Sequence, residues 1–306
     1  MATLDFLKLA LRQRAPASSP KRDLSDTEYS AGFPLLVQGP ASLNYHDFII
    51  PKLAQLLASL ANSHGSISIL EIGPGAKSIL RFLPSHLRQK IKKYTAFEPN
   101  DGYVKSLEEW VCSTSEGSPP MPCLESPPQI HHTPFSTDIG TGTGIVISNS
   151  DSEHKYDVIL FCHSMYGMHP KRRFIETALE LLVEQPQAGL VIVFHREGNI
   201  QLDGLVCHQT ASFPAGVVHI KDDDAALDHF ARIMAGFVMQ SVDEEHTIRA
   251  EWREVCRDLG SRAEDHPGYL LFSNPDLMMV FTRHATALAE LTEQVPLAQG
   301  NFNGQE

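Results

Sequence analysis

Cysteine is scarce in this chain of 306 residues: Cys112, Cys123, Cys162, Cys207 and Cys256 are odd in number and nowhere spaced Cys-x-x-Cys. That excludes a disulfide framework or a zinc knuckle as the basis of the fold, and a reducing, cytoplasmic setting is the expectation. Basic residues are also few, 25 Lys and Arg against 37 Asp and Glu, for a formal charge of -12 spread along the chain. Such a surface repels phosphate backbones, so the expected partner is a small molecule and not a nucleic acid. No run approaches the roughly 18 apolar residues of a membrane span, so no membrane partner is expected. The opening MATLDFLKLALRQR lacks the unbroken apolar core of a secretory signal, and Asp5 with the acids of Asp23 to Glu28 weighs against a transit peptide. The histidines show neither HxxxH nor HExxH spacing, and no metal site is expected. Internal repeats are lacking too, and oligomeric state is not legible.

What is present is a rhythm. From Ile67 onward, short runs rich in Val, Ile and Phe alternate with longer amphipathic segments, the pattern of parallel strands joined by crossover helices. Strands are predicted at 66–72, 93–98, 128–133, 156–163 and 190–195, with a late strand at 277–283. Helices are predicted at 77–92, 101–112 and 171–184, the last begun by Pro170 just outside it. After His195 a loop-rich stretch leads to helices near 222–235 and 248–259, an accessory layer spanning 196–276. Residues 113–154 are dense in Pro, Gly and Ser and read as a surface insertion and a long connection; IGTGTG within it has no helix pattern after it and reads as a loop. The central unit is placed at 41–285, with 1–40 loosely ordered apart from a short helix at Leu4 to Arg12, and 286–306 as a tail.

The stretch ILEIGPGAKSIL (69–80) places Gly73 and Gly75 between a predicted strand and a predicted helix. A diphosphate fits poorly there. Pro74 removes a backbone N–H donor from the tip of the loop, Ser78 stands where a third glycine would be, and Glu71 would repel the phosphates. The same features suit S-adenosylmethionine, whose sulfonium and ammonium favour a nearby carboxylate while glycines allow close backbone approach. Its ribose hydroxyls call for an acidic acceptor at the end of the next strand, and Glu98 of FEPND lies there, twenty-three residues after Gly75.

LEIGPGA, then FEP, then YDVILFCHSMYGM resembles the class I S-adenosylmethionine-dependent methyltransferases, and within them histamine N-methyltransferase, over most of residues 45 to 283. The resemblance implies an α/β, Rossmann-like sheet, mostly parallel with an antiparallel last strand, helices on both faces and an accessory substrate-binding layer. It implies that Glu71, Gly73, Pro74, Gly75 and Glu98 meet the cofactor, that Ser136 or Thr137 borders the adenine, and that Cys162 backs the adenosine. It places His163, Tyr166 and Asn274 at the substrate pocket, with Gln38 near the substrate. His163 stands where the histamine enzyme has glutamine, so histamine itself is not the expected acceptor.

Methyl transfer needs an aligned nucleophile and a dry site more than covalent help from the protein. A base is required where the acceptor arrives protonated, and His163 and His195, each closing a predicted strand, are the candidates. Arg196 and Glu197 read as a local ion pair, with orientation of substrate as the alternative. The expected activity is N- or O-methylation of a small, aromatic metabolite. Two alternatives stay open: a cofactor-bound enzyme that uses the sulfonium as a fixed charge for a cyclisation or elimination, and a non-catalytic binding protein that keeps the fold.

Overall fold

Runs such as ILEI and VILFC are stable as strands only where both faces are covered, because successive side chains point to opposite sides. The computed structural model, which describes residues 1–37, 44–113, 119–137, 155–184, 189–196, 202, 205–214, 216–262 and 264–283, covers them on both faces. In chain order the elements begin with α1 (Leu4–Arg14), β1 (Lys21–Arg22), α2 (Asp26–Val37), a π-helical turn (Tyr45–Ile49) running into α3 (Ile50–His64), and β2 (Ile67–Ile72). Next come a 3-10 turn (Ile79–Phe82), α4 (Ser85–Arg88), β3 (Ile91–Phe97), α5 (Asp101–Cys112), β4 (Gln129–His131), β5 (Val158–Cys162), a 3-10 turn (Met165–Gly167), α6 (Lys171–Glu180) and β6 (Leu190–His195). The last part holds β7 (Gln209–Phe213), β8 (Val217–Lys221), α7 (Asp224–Ala235), β9 (Val238–Met239), α8 (Val242–Leu259), β10 (Tyr269–Ser273) and β11 (Asp276–Phe281).

Seven strands form one sheet in the order β4-β3-β2-β5-β6-β11-β7. The first five run parallel, and β11 is antiparallel to both β6 and β7. This is the mostly parallel sheet with an antiparallel last strand that the resemblance implied. The chain winds outward from β2 to β4, then returns beside β2 at β5, so the order reverses there and opens a crevice at the carboxyl ends of β2 and β5. Alternation sorts the core: Val158, Leu160, Leu190, Ile192 and Phe194 pack with α3 on one face. Ile159, Phe161, Val191 and Val193 pack with α6 on the other. Each such fully buried side chain contributes about 1.5–3 kcal/mol.

Three differences from the sequence reading have physical causes. The helix expected over 77–92 is broken into a 3-10 turn and the single turn of α4. Pro84 holds Leu83 extended, and the Ser78 hydroxyl accepts the Leu80 N–H at 3.0 Å, starting a tighter turn. Strands β7, β8 and β10 were not expected; β8 and β10 pair with each other across a helical excursion, from Lys221 opposite Tyr269 to Val217 opposite Ser273. The short helix expected at Leu4 to Arg12 is α1, but the residues after it that were expected to be loose form α2. Leu4, Leu7 and Leu11 repeat at helical spacing and are buried against Phe230, Trp252 and Phe272, so α1 belongs to the accessory layer. The indole N–H of Trp252 donates to the Leu11 carbonyl at 2.8 Å. Among the described residues no helix is long and apolar enough to cross a membrane.

The amino end of the sheet is tied by Asp157. Its carboxylate accepts the Ser68 N–H at 2.7 Å and the Ser68 hydroxyl at 2.6 Å, and lies 2.9 Å from His64 Nδ1. Burial pushes its pKa up, but the His64 and Ser68 hydrogen bonds outweigh burial and leave it lowered. The stabilisation is therefore present above the unfolded aspartate pKa of about 3.9 and lost as pH falls through the folded value. Asp157→Ala is expected to cost about 1.5–3 kcal/mol at pH 7 and much less in strong acid, measured by urea denaturation at both pH values.

Candidate functional site

At the switch point the backbone makes two left-handed turns. Gly73 has φ +63° and its N–H donates to the Phe97 carbonyl at 2.8 Å; Gly75 has φ +71°. A Cβ on Gly73 would stand 2.7 Å from the Ser164 Cβ, so a side chain is excluded by conformation and by space. The Gly75 N–H donates to Glu98 Oε2 at 2.9 Å, and Glu98 Oε1 accepts the Asn100 N–H at 3.0 Å. Asn100 caps α5 by accepting the Tyr103 N–H at 3.0 Å, and its amide reaches the Asp26 carbonyl and the Ser30 hydroxyl of α2. The glycine turn, the end of β3 and α2 are thereby locked together around one carboxylate.

Glu71 lies beneath the turn, 1% exposed. Its Oε2 accepts the Tyr94 hydroxyl at 2.7 Å, while buried Oε1 has no well-aligned partner. Burial raises its pKa to about 7 against the lowering effects of Ser78, Tyr94 and the Ile79 N–H. Burial likewise raises Glu98, with the Asn100 and Gly75 N–H groups opposing. Neither carboxylate has a basic partner among the described residues. Both line a cavity of about 730 Å³ together with Gly73, Pro74, Gly75, Cys162, His163 and Tyr166. On α2, Tyr29 stacks on Phe33 at 5.5 Å and meets Tyr103 edge-on, and these rings close the cavity from the N-terminal side.

His163 follows β5 with φ +56°, which turns its ring from the strand toward the cavity. Nδ1 lies 3.1 Å from the Tyr166 hydroxyl and Nε2 3.5 Å from Asp276 Oδ1. Burial, then the charges of Arg196 and His195, push its pKa well below the usual histidine value, so the ring is neutral at neutral pH. Asp276 is fully buried between His163, Arg196 (Nε to Oδ1, 3.6 Å) and the Asn44 amide, which donates to Oδ2. Burial raises the Asp276 pKa against the Arg196 charge and the Asn44 hydrogen bond.

Eight of the candidate residues thus line one cavity: Glu71, Gly73, Pro74, Gly75, Glu98, Cys162, His163 and Tyr166. Burial pushes the Cys162 thiol well up, so it offers an uncharged wall. Others stand elsewhere. Pro134 and Phe135 line the cavity in place of Ser136 and Thr137, which follow them. His195 is fully buried on the same side of β6 as Val191 and Val193, stacked 4.5 Å from Tyr166, and does not itself line the cavity. Asn274 is buried and does not line the cavity; its N–H donates to the Gly216 carbonyl. Gln38 and Glu197 lie outside the described residues; the ion partner of Arg196 among the described residues is Asp276. Sequence reasoning missed Asp276, Asn44, Tyr45 and the α2 aromatics. Among the described residues no group of three or more His, Cys, Asp or Glu could hold a metal ion.

No protein-family model matches the chain, and no curated protein matches it. Solved structures similar to it include the N-methyltransferase NodS from Bradyrhizobium japonicum WM9 with S-adenosyl-L-homocysteine, 14% identical over 84% of this chain and 98% of that one, TM-score 0.36. The plantazolicin methyltransferase BpumL with a triazolic desmethyl analogue and S-adenosylhomocysteine is 13% identical over 84% and 96%, TM-score 0.32. The cyclase SpnF is 14% identical over 75% and 79%, TM-score 0.39. The narrower resemblance to histamine N-methyltransferase finds no support among them. With TM-scores below 0.5, the function must be read from the chain's own residues.

Proposed function

We propose that the cavity binds S-adenosylmethionine and directs its methyl group to a nitrogen or oxygen of a small, aromatic acceptor. The observation that supports this most is the pair of buried carboxylates, Glu71 and Glu98, at the ends of adjacent strands with no basic partner among the described residues. Buried carboxylates without cations are costly unless a ligand supplies positive charge or hydroxyl donors. A diphosphate would worsen that imbalance; a nucleoside with a sulfonium and an ammonium relieves it.

Glu98 would hold the ribose hydroxyls, the bare backbone at Gly73 would admit the amino-acid portion, and Phe97 and Phe135 would flank the adenine. When bound, the cofactor supplies a methyl carbon activated by the adjacent sulfonium. The remaining work falls to orientation and exclusion of water, for which Tyr29, Phe33, Tyr45 and Tyr166 provide the walls. His163 is neutral but weakly basic, so the reading favours acceptors that arrive nucleophilic, as a neutral amine or a phenolate. His195, which does not line the cavity, has no direct part.

Isothermal titration with S-adenosylmethionine tests the reading. The wild-type chain is expected to bind, and Gly73→Ala to bind at least about tenfold more weakly, because its Cβ must displace Ser164 and hold a left-handed backbone at a cost of about 1–3 kcal/mol. Absence of binding by the wild type would sink the proposal.

A further inference from the structure

We propose that Arg81 receives a carboxylate of a ligand bound in this cavity, an inference that rests on the reading above. Arg81 belongs to the 3-10 turn that follows the glycine loop, and it lines the cavity with Lys77, His46 and Phe82. Its guanidinium carbon sits 4.3 Å from the Phe82 ring centroid, and His46 meets the same ring edge-on at 5.5 Å. Stacking of this kind fixes the guanidinium plane while leaving its N–H edge to accept a ligand.

In this acid-rich chain several arginines are matched with carboxylates, Arg196 with Asp276, Arg232 with Glu245, Arg253 with Asp228 and Arg257 with Asp222, while Arg12 and Arg88 donate to backbone carbonyls. Arg81 has no carboxylate partner among the described residues. Partial burial lowers its pKa from the usual arginine value, with Tyr45 opposing; a guanidinium nonetheless stays charged at neutral pH. An arginine that is partly desolvated and lacks an anion is suited to a planar anion from outside the chain, which its fork can bind through two parallel hydrogen bonds.

The cavity is bipolar. Asp26, Glu71 and Glu98 line it with acid, and Lys77 and Arg81 line it with base. Tyr45 links Arg81 to the reacting end, since it influences Arg81 electrostatically and packs 5.6 Å from His163. Two carboxylates can reach such a position: that of the cofactor's amino-acid end and one carried by the acceptor. The guanidinium chemistry is the same for both.

Calorimetry on wild type, Arg81→Gln and Arg81→Lys decides it with paired probes. S-adenosylhomocysteine carries the amino-acid end and methylthioadenosine lacks it; para-hydroxybenzoate carries an acceptor-like carboxylate and phenol lacks it. Arg81→Gln is expected to weaken one carboxylate probe by about tenfold or more while leaving its carboxylate-free counterpart unchanged, with Arg81→Lys intermediate. Loss confined to S-adenosylhomocysteine assigns the cofactor's carboxylate, and loss confined to para-hydroxybenzoate assigns the acceptor's. Equal weakening within each pair, no change for either carboxylate probe, or binding of neither carboxylate probe by the wild type overturns the proposal. If the wild type binds neither nucleoside, the cofactor reading fails separately, and the Arg81 assignment is then decided by para-hydroxybenzoate against phenol.

Discussion

Glu98→Gln is expected to weaken binding of S-adenosylhomocysteine and of adenosine alike by about a hundredfold, equivalent to about 3 kcal/mol. The two Glu98 oxygens accept the Gly75 and Asn100 N–H groups at 2.9 and 3.0 Å. Glutamine keeps one acceptor and turns an NH₂ toward the other donor, so either the glycine turn or the start of α5 must move. The remaining lone pairs, which would take the ribose hydroxyls, are reduced at the same time. Adenosine carries the ribose but no amino-acid end, which makes it the sharper probe. If adenosine binds the variant as it binds the wild type, Glu98 is only a brace for the turn. Folding stability should fall by no more than about 1–3 kcal/mol, because the change disturbs one buried hydrogen-bonding oxygen.

The half of the site built from Glu71, Gly73, Gly75 and Glu98 was legible because strand, turn and helix follow one another locally. Left-handed glycines and strand-end acids keep their meaning whatever packs around them. The other half depends on pairing between distant segments. Leu277 lies opposite His195 in the antiparallel β6–β11 register, which brings Asp276 and Arg196 to neighbouring positions beyond it. Two opposite charges flanking two apolar strands that pair antiparallel were the available signal, but its use required knowing the register. His195 was misplaced for a simpler reason: alternation along β6 puts it on the face of Val191 and Val193, under Tyr166. Helix α2 was missed because its aromatic face points at the cavity and Pro34, a residue that normally ends helices, stands inside it, so no clean apolar stripe marks it.

The register that hid Asp276 also makes it the most sensitive position behind the site. Asp276→Ala is expected to destabilise the fold by about 3–5 kcal/mol in urea denaturation, the loss typical of stranding a buried charge. Arg196 is 9% exposed; burial lowers its pKa, but Asp276, Tyr166 and Tyr45 more than restore it, so the cation stays. Its Nη1 donates to the Leu36 carbonyl at 3.1 Å, and that neutral acceptor cannot replace a carboxylate. The double variant Arg196→Met with Asp276→Leu removes both charges and should recover most of the loss, as replaced buried pairs commonly do. A loss below about 1 kcal/mol in Asp276→Ala would mean that Arg196 relaxes to solvent and that the pair is not closed. The same carboxylate acts on the site through His163. With Nε2 facing Asp276, the ring proton belongs on Nε2, and Nδ1 is left to accept the Tyr166 hydroxyl. Nitrogen-15 spectra of the His163 ring should show that tautomer in the wild type and lose it in the double variant, even where stability has returned. Retained nucleoside affinity in the double variant would then separate the two halves of the cavity: Glu71 and Glu98 for the nucleoside, and the Asp276–His163–Tyr166 chain for the acceptor end.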